Sequence, residues 1–338
     1  MRLCIPVTQH FGLGNELIPI AKAFCAAQEC GLRLVCPEWA RADRKYHHER
    51  YFPAPWKDRL LARYGRLQRR VTFSEADYRA TGVVDYGQAA RAFVESKGLT
   101  TGPLTFCTEG MWGGFESIVN SRLYIRSLLL QMPFTLSNYH TVVRQLDPVK
   151  LTVAVHVRLG DFAPASGPEW KPGAWNMRLP LEWYESVCAA VAAAFGPRAQ
   201  FVLCSDGTVE ECDRLIRRFQ PIHTIGRPLS SCSDMLLMAD ADLLVCSISS
   251  FSFWAAFLSE RPYVMYAPAM QREGNRLFLW QPPAGAEPAP GGWQRGFAME
   301  KESRLPEALK ATLERRLAEK LARPRDLVLG GCVPVAAQ

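Results

Sequence analysis

The sequence predicts an α/β fold made of two Rossmann-like domains that face each other across a cleft. Apolar, strand-like runs alternate with helical patterns in two series, one opening at residue 2 and the other at residue 151. Such alternation is typical of parallel sheets covered by helices. The 338 residues, 48% hydrophobic and 22% charged, are enough for two cores and are unlike a disordered or fibrous chain.

The first series predicts an N-terminal domain over residues 1–148. It opens as a βαβ unit, because Asn15 is a good N-cap for a helix that ends before Gly31. The segment around Asp147 and Pro148 is the expected boundary. The predicted strands are 2–7, 32–37 and 103–107, and the predicted helices are 15–30, 86–97 and 115–131.

The second series predicts a C-terminal domain over 149–322. The predicted strands are 151–157, 201–205, 222–225, 243–247 and 262–266, and the helices are 181–195, 209–219, 233–240 and 251–259. A Pro/Gly loop over 281–293 and a charged amphipathic helix over 304–322 follow, and 323–338 is expected to be a loose tail.

The cysteines and the apolar runs predict a cytoplasmic protein. Eleven cysteines are scattered without any C-x-x-C, and several lie inside apolar runs, so we expect free thiols and no zinc site. No stretch approaches the ~18 to 20 apolar residues of a membrane span, and polar residues such as Thr8 and Asn15 interrupt any signal-like start. We therefore expect neither a span nor export.

Positive charge is concentrated in one segment. Residues 41–70 hold ten Lys/Arg and three Asp/Glu, so the net charge of this segment is +7, the same as that of the whole chain. Leu60, Leu61, Tyr64 and Leu67 fall on one helical face with arginines around them. The segment is either a solvated basic face or a contact with an anionic surface, such as a membrane leaflet or an acidic glycan. No nucleic-acid motif accompanies it, so nucleic acid is not an expected partner.

The first chemical motif is the turn Gly12-Leu13-Gly14-Asn15-Glu16 between a strand and a helix. Two glycines allow a ligand to approach the helix N-terminus, although a purely structural turn explains them equally well. A dinucleotide fingerprint would need glycine where Leu17 stands, so we do not expect NAD.

The second motif, VAVHVRLGDF, ends the strand that opens the second sheet. It places His156, Arg158, Gly160 and Asp161 at the edge where doubly wound sheets bind ligands. The planar donor fork of an arginine suits a phosphate. The alternative is an Arg–Asp pair that only ties the loop.

Two further strand ends carry polar groups. Ser205 and Asp206 end one strand, where a carboxylate could bind a base or ribose or cap the next helix. The segment SISSFSFW places Ser249, Ser250 and Ser252 at a helix N-terminus, which is a typical seat for an anion.

These segments resemble the GDP-fucose-dependent fucosyltransferases, most closely the bacterial alpha-1,2-fucosyltransferase family. The likeness covers the first thirty residues and 151 to about 268, and residues 40–148 add nothing to it. The matching segments are FGLGNELIPIAKAF, HVRLGD, LPLEWYESV, FVLCSD and SDMLLMADADLLVCSISSFSFWAAFLS.

The resemblance implies an inverting glycosyltransferase of GT-B-type architecture that moves L-fucose from GDP-fucose to a glycan hydroxyl, with no cofactor or metal. It assigns the acceptor to the N-terminal half and the donor to the C-terminal half. By analogy Arg158 grips the β-phosphate, and His156 with Asp206 holds the guanosine. Arg158 is the catalytic residue, with Asp161 and Glu16 as the nearest carboxylates for a general base. The donor-binding residues are Gly12, Gly14, Asn15, His156, Arg158, Ser205, Asp206, Ser249, Ser250, Phe251 and Ser252.

Three positions depart from the family pattern: Glu16 replaces Gln, Leu159 replaces a second Arg, and Ile248 replaces Asn. They leave two alternatives open, a transferase for another GDP-sugar and a non-catalytic nucleotide- or glycan-binding protein. If the basic segment docks on lipid, the enzyme is peripheral on the inner leaflet.

The Asp240-Ala241-Asp242 triplet resembles the Asp-x-Asp metal site of the other large glycosyltransferase fold. Here it precedes a strand, whereas a ligand-edge metal site should follow one. We therefore expect no metal at this pair.

Overall fold

The computed structural model describes residues 1–8, 12–36, 54–163, 177–259, 261–270 and 296–322. The chain forms two compact units, 1–133 and 134–338. The division precedes the position near 148 that the sequence favours, because the helix over 135–143 packs with the second unit. In the described ranges, no helix has both the length and the apolar character needed to cross a membrane.

The first unit contains a four-stranded parallel sheet in the order β2-β1-β4-β3. Its strands are β1 (Arg2–Pro6), β2 (Arg33–Leu34), β3 (Arg70–Phe73) and β4 (Leu104–Thr108). Its helices are α1 (Leu13–Cys30), α2 (Trp56–Gly65), α3 (Glu75–Thr81), α4 (Tyr86–Ser96), a 3-10 helix over Phe115–Ser121, and α5 (Arg122–Leu130). Strand β4 is buried at all five residues, so the centre of this sheet is covered on both faces.

The N-cap of helix α1 is Gly12, three residues before the predicted cap Asn15. The carbonyl of Gly12 accepts hydrogen bonds from the backbone N–H groups of Asn15 and Glu16, so the turn is closed by backbone alone. The helix ends at Gly31, whose φ of 59° is the left-handed conformation that glycine adopts without strain.

A buried lysine links α1 to the loop after β4. Lys22 Nζ donates to the carbonyls of Glu109 at 3.1 Å and Gly110 at 3.0 Å. It also lies 3.3 Å from the centre of the Trp112 ring. Burial lowers the pKa of Lys22 to about 6, whereas the carbonyls and the ring favour its charged form. Lys22 therefore positions the loop, and the free-energy cost of burying its charge depends on pH.

This cost predicts a pH-dependent stability. A folded-state pKa of about 6 lies below the ordinary 10.5, so the unfolded chain binds more protons between those values. Through Lys22, the free energy of unfolding should rise with pH in that window, by at most about 1.4 kcal/mol per pH unit. Urea unfolding of the native chain and of Lys22→Met, each near pH 6.5 and 9, measures this. Equal pH dependence in the two proteins would contradict the assignment.

The second unit contains a six-stranded parallel sheet in the order β10-β9-β8-β5-β6-β7. Its strands are β5 (Leu151–Val157), β6 (Ala199–Ser205), β7 (Ile222–His223), β8 (Leu243–Val245), β9 (Tyr263–Tyr266) and β10 (Gly296–Met299). Its helices are α6 (Thr135–Val143), α7 (Leu181–Phe195), α8 (Asp213–Phe219), α9 (Ser231–Asp240), α10 (Ser250–Leu258), α11 (Ala267–Met270) and α12 (Glu307–Ala322), with a 3-10 turn over Gly196–Arg198.

Counted from β5, this is the strand order 3-2-1-4-5-6 of the dinucleotide-binding Rossmann sheet. Strands β6 and β7 extend the sheet on one side of β5, and the chain then crosses over so that β8 pairs with the other side of β5. The crossover connections of β5 and β8 therefore diverge, which leaves a crevice outside their carboxyl ends. The α/β prediction of two Rossmann-like domains is confirmed.

Candidate functional site

The carboxyl ends of β5, β6 and β8 carry most of the residues that the sequence predicts for the donor site. Strand β5 pairs with β6 on one side and β8 on the other, so the segments that follow them meet at one edge. His156 is the second-last residue of β5, Ser205 ends β6, and Ser249 follows β8. The fold thus brings together segments up to ninety residues apart in the chain.

Arg158 lies between two carboxylates just after β5. Its Nη2 is 2.6 Å from Asp161 Oδ1, and its Nη1 is 2.7 Å from Asp206 Oδ2. A guanidinium has five N–H donors, and these ion pairs use one on each terminal nitrogen. In the part of the chain that the structure describes, one donor on each Nη and the Nε–H have no hydrogen-bond partner and are left for a ligand. Arg158 can therefore hold the loop through its ion pairs and still bind a phosphate.

Asp206 shapes the loop as well as holding the arginine. Its Oδ1 accepts from the backbone N–H of Leu159 at 2.8 Å, while Oδ2 binds Arg158. A Cβ at position 160 would overlap Asp206 Oδ2, so only glycine allows this approach. Both carboxylate oxygens have protein partners here, an arrangement suited to positioning Arg158.

Arg178 was not singled out by the sequence, yet it fastens the same loop from outside. Its Nε donates to the carbonyls of Leu159 and Phe162, at 3.0 and 2.8 Å. Its Nη1 pairs with Glu211 Oε1 at 3.0 Å. Only tertiary structure reveals this role: Arg178 directly precedes the LPLEWYESV segment, but the carbonyls that it binds lie 19 and 16 residues earlier in the chain.

His156 is buried and connected to the start of α10. Its Nδ1 shares a hydrogen bond with Ser252 Oγ at 2.6 Å, and Ser252 Oγ also accepts from the backbone N–H of Ser247 at 3.1 Å. The Phe251 ring lies 5.2 Å from the imidazole. Burial, with a smaller contribution from Arg158, lowers the pKa of His156 to about 3. The imidazole is therefore neutral and held in one orientation at physiological pH.

The N-terminus of α10 retains open donors. Ser249 is the N-cap, and its Oγ accepts from the backbone N–H of Ser252 at 3.3 Å. The first N–H groups of a helix lack intrahelical acceptors, and those of Ser250 and Phe251 have none among the described residues. Two of the predicted serines thus serve the fold, while Ser250 and the first backbone N–H groups of the helix stay available to a ligand.

Asp234, in the first turn of α9, is a second residue that the sequence analysis missed. It is buried, and its Oδ2 accepts from Ser230 Oγ at 2.9 Å, whereas its Oδ1 has no hydrogen bond among the described residues. Burial raises the pKa of Asp234 to about 7, although Ser230, Thr224 and Arg227 favour the charged form. The available signal was one acidic residue within an otherwise apolar helical pattern.

The other predicted site residues, except Ser205, belong to the first unit. Gly14 and Glu16 are buried in the first turn of α1, and Asn15 is partly exposed there. In the second unit, Ser205 Oγ accepts from the backbone N–H of Gly207 at 3.0 Å. Of the departures from the family pattern, Leu159 and Ile248 are also buried.

The Asp240–Asp242 pair lies at the opposite, amino edge of the second sheet. Asp240 Oδ2 accepts from the Tyr139 hydroxyl at 2.8 Å. Asp242 pairs with Arg316 and Lys320, and it accepts from the backbone N–H of Thr152. The described ranges contain no cluster of three or more His, Cys, Asp or Glu side chains suited to a metal ion, and their ten cysteines are free thiols.

Parallel α/β units, the second with polar strand ends at its switch point, are typical of nucleotide-binding proteins. The family profile of Glycosyl transferase family 11 matches residues 48–278. The chain therefore belongs to glycosyl transferase family 11.

Solved fucosyltransferases are among the structures to which the chain is similar. The chain is 12% identical to a mutant of Arabidopsis thaliana FUT1 in complex with GDP, with a TM-score of 0.41 over 78% of this chain and 69% of that one. It is 16% identical to fucosyltransferase NodZ from Bradyrhizobium (TM-score 0.44, 77% and 94% covered). It is 12% identical to POFUT1 (TM-score 0.46, 78% and 97% covered). No individual curated protein matches the sequence significantly.

Proposed function

We propose that this glycosyltransferase moves L-fucose from GDP-fucose to a glycan hydroxyl, with inversion at the anomeric carbon and without a metal. The observation that carries the proposal is Arg158, which two carboxylates hold at the switch point and whose other three N–H donors have no partner among the described residues. Membership of the family and the motifs around β5 and β8 support a GDP-sugar as the donor.

The reaction is a single displacement. The acceptor oxygen bonds to the anomeric carbon as the bond from that carbon to the β-phosphate oxygen breaks, and the electron pair leaves with GDP. Fixed donors aimed at the developing charge lower the barrier. Arg158 and the open N–H groups of Ser250 and Phe251 supply those donors, since a helix N-terminus and a guanidinium both favour a diphosphate.

The nucleoside would be held by groups on either side of this seat. Neutral His156 and the Phe251 ring provide an imidazole and an aromatic face. The buried Oδ1 of Asp234 has no hydrogen-bond partner within the described ranges, and a carboxylate is a suitable acceptor for the N–H edge of guanine. Asp206 then acts through Arg158 as a positioning residue.

The acceptor proton must pass to a base. Asp161 and Glu16 stay the candidate carboxylates, and they differ in setting: Asp161 is paired with Arg158, whereas Glu16 is buried in the other unit. Loss of activity in Glu16→Gln together with normal GDP binding would favour Glu16 over Asp161 as the base.

A donor panel tests the proposal. GDP released from GDP-fucose, GDP-mannose and UDP-glucose is measured with and without candidate glycans, in EDTA and in Mn²⁺. We expect turnover of GDP-fucose alone, unchanged by chelation, because arginine and helix N-termini already neutralise the diphosphate.

Three results would contradict it. Preference for another GDP-sugar would show that GDP-fucose is not the donor, a result that the departures at Glu16, Leu159 and Ile248 permit. Tight GDP binding without turnover of any donor or glycan would favour a binding protein. Loss of activity in EDTA, restored by Mn²⁺, would overturn metal independence.

A further inference from the structure

The outer face of α2 carries an exposed apolar stripe. Trp56, Leu60 and Tyr64 follow one another at intervals of four residues, and Leu67 continues the line in the turn after the helix. Their exposures are 61%, 52%, 45% and 85%. At 3.6 residues per turn these side chains lie on one side of the helix. Four neighbouring large apolar side chains in water indicate a contact surface.

The opposite face of α2 anchors the helix on the first sheet. Asp58 Oδ2 accepts from the backbone N–H of Cys36 at 3.3 Å. Gly65 is buried, its carbonyl accepts from Thr105 Oγ1 at 2.8 Å, and a Cβ there would lie 3.2 Å from Leu3. The stripe is therefore the outer face of a packed helix. Leu61, which the sequence places on the same face, turns partly inward, and Trp56 takes its place.

Positive charge surrounds the stripe. Between Trp56 and Arg70, every lysine and arginine is exposed, and the single acidic residue, Asp58, is turned toward Cys36. On a helical projection Arg63 and Lys57 flank the stripe on its two sides. The exposed basic residues are Lys57, Arg59, Arg63, Arg66, Arg69 and Arg70. The other four basic residues of the segment, between 41 and 50, lie outside the described residues.

We propose that the α2 face, defined by Trp56, Leu60, Tyr64 and Leu67 with its flanking basic residues, docks the enzyme on an anionic phospholipid leaflet. Aromatic and leucine side chains partition into the boundary between headgroups and acyl chains, while arginines stay at the headgroups. The charge pattern selects this occupant. A second copy of the chain would bring two positive faces together, which opposes association. A polyanion in solution would leave the apolar stripe in water.

Co-sedimentation of the full chain with vesicles tests the proposal. The vesicles are phosphatidylcholine alone or with about 30 mol% phosphatidylglycerol, at salt concentrations from ~0.01 to ~0.15 M, over which the Debye length falls from ~30 to ~8 Å. We expect binding to the anionic vesicles that weakens at least tenfold across this range. The phosphatidylcholine vesicles should bind at least tenfold less at low salt.

Two surface variants separate the apolar and charged contributions. Arg59→Gln with Arg63→Gln and Arg66→Gln should weaken binding by about fivefold per residue, which corresponds to ~1 kcal/mol each. Leu60→Gln with Leu67→Gln should weaken it at least tenfold while leaving the thermal midpoint unchanged, because both side chains are exposed. The matched control is Leu123→Gln with Arg144→Gln, since both of these residues are exposed elsewhere.

A spectroscopic measurement shows whether the face enters the lipid. Brominated acyl chains should quench the fluorescence of the native chain more than that of Trp56→Phe, because Trp56 lies on the docking face. Absence of binding at ~0.01 M salt, equal binding to neutral vesicles, or equal loss in the matched control would each overturn the proposal. A dimer that dissociates in Leu60→Gln with Leu67→Gln would identify a second copy as the occupant.

Discussion

Replacement of Arg158 by lysine is expected to lower the rate of GDP release by ~10²-fold or more, although the positive charge is kept. Asp161 and Asp206 bind different terminal nitrogens of the guanidinium, and the remaining N–H donors are what a ligand can use. An ammonium has three donors at one point and cannot satisfy both carboxylates and a phosphate in the same geometry. Turnover is measured as GDP released at saturating donor.

The control for this experiment is Arg217→Lys. Arg217 lies in the same unit and makes a similar ion pair with Asp213 at 2.7 Å, but it is exposed and its pair lies on the surface of α8. Its replacement should leave both turnover and the thermal midpoint unchanged. If Arg158→Lys keeps more than half of the native turnover, Arg158 only ties the loop and the donor seat lies elsewhere.

Replacement of Asp242 by asparagine is expected to lower the free energy of unfolding by about 3 kcal/mol, since buried Lys320 loses its carboxylate and Arg316 keeps only its pair with Glu319. Asp242 is 1% exposed and faces both Arg316, at 2.8 Å, and Lys320. It joins α12 to the amino edge of the sheet, where its second oxygen also accepts from Thr152. Urea unfolding measures the loss.

The activity of the folded Asp242→Asn protein should equal that of the native enzyme, because this edge is opposite the carboxyl ends of β5 and β8. Asp240→Asn is the matched variant, and its amide oxygen can still accept from Tyr139, so its stability should change by less than about 1 kcal/mol. Loss of turnover in either variant at a temperature where it is folded, with rescue by Mn²⁺, would make the pair a metal site.

Strong local patterns explain why much of the second unit was predicted from sequence. Strand 151–157 and helix 181–195 have the predicted limits, because a continuous apolar run and a long amphipathic repeat each allow one structure. Strand β8 is two residues shorter than predicted, since Cys246 and Ser247 belong to the turn that leads to α10. Strand β3 was missed because it is a short edge strand of mixed polarity, RVTF.

The candidate site shows the same division. Motif position alone placed Arg158, Asp206 and the α10 serines at one edge, because parallel strands all end there. Motif position does not show which of these residues bind a ligand and which support the fold. Ser252 is the partner of buried His156, which is a contact between residues 96 positions apart. Arg178 precedes the LPLEWYESV segment and Asp234 lies in the SDMLLMADADLL segment, but neither motif shows which groups these side chains contact. Those contacts depend on the loop after β5 and on the burial of Asp234 in the folded chain.

The amino-acid sequence by itself determined the α/β class, the two series of strands and helices, and the family, because apolar periodicity and short motifs are local properties. Tertiary structure alone decided which donors are free for a ligand and which are used by the fold. It also decided that the apolar side chains of α2 face outward, because Gly65 and Asp58 lie on the inner face and contact the first sheet and Cys36. Burial and hydrogen-bond partners depend on what the rest of the chain places nearby, and no local pattern encodes them.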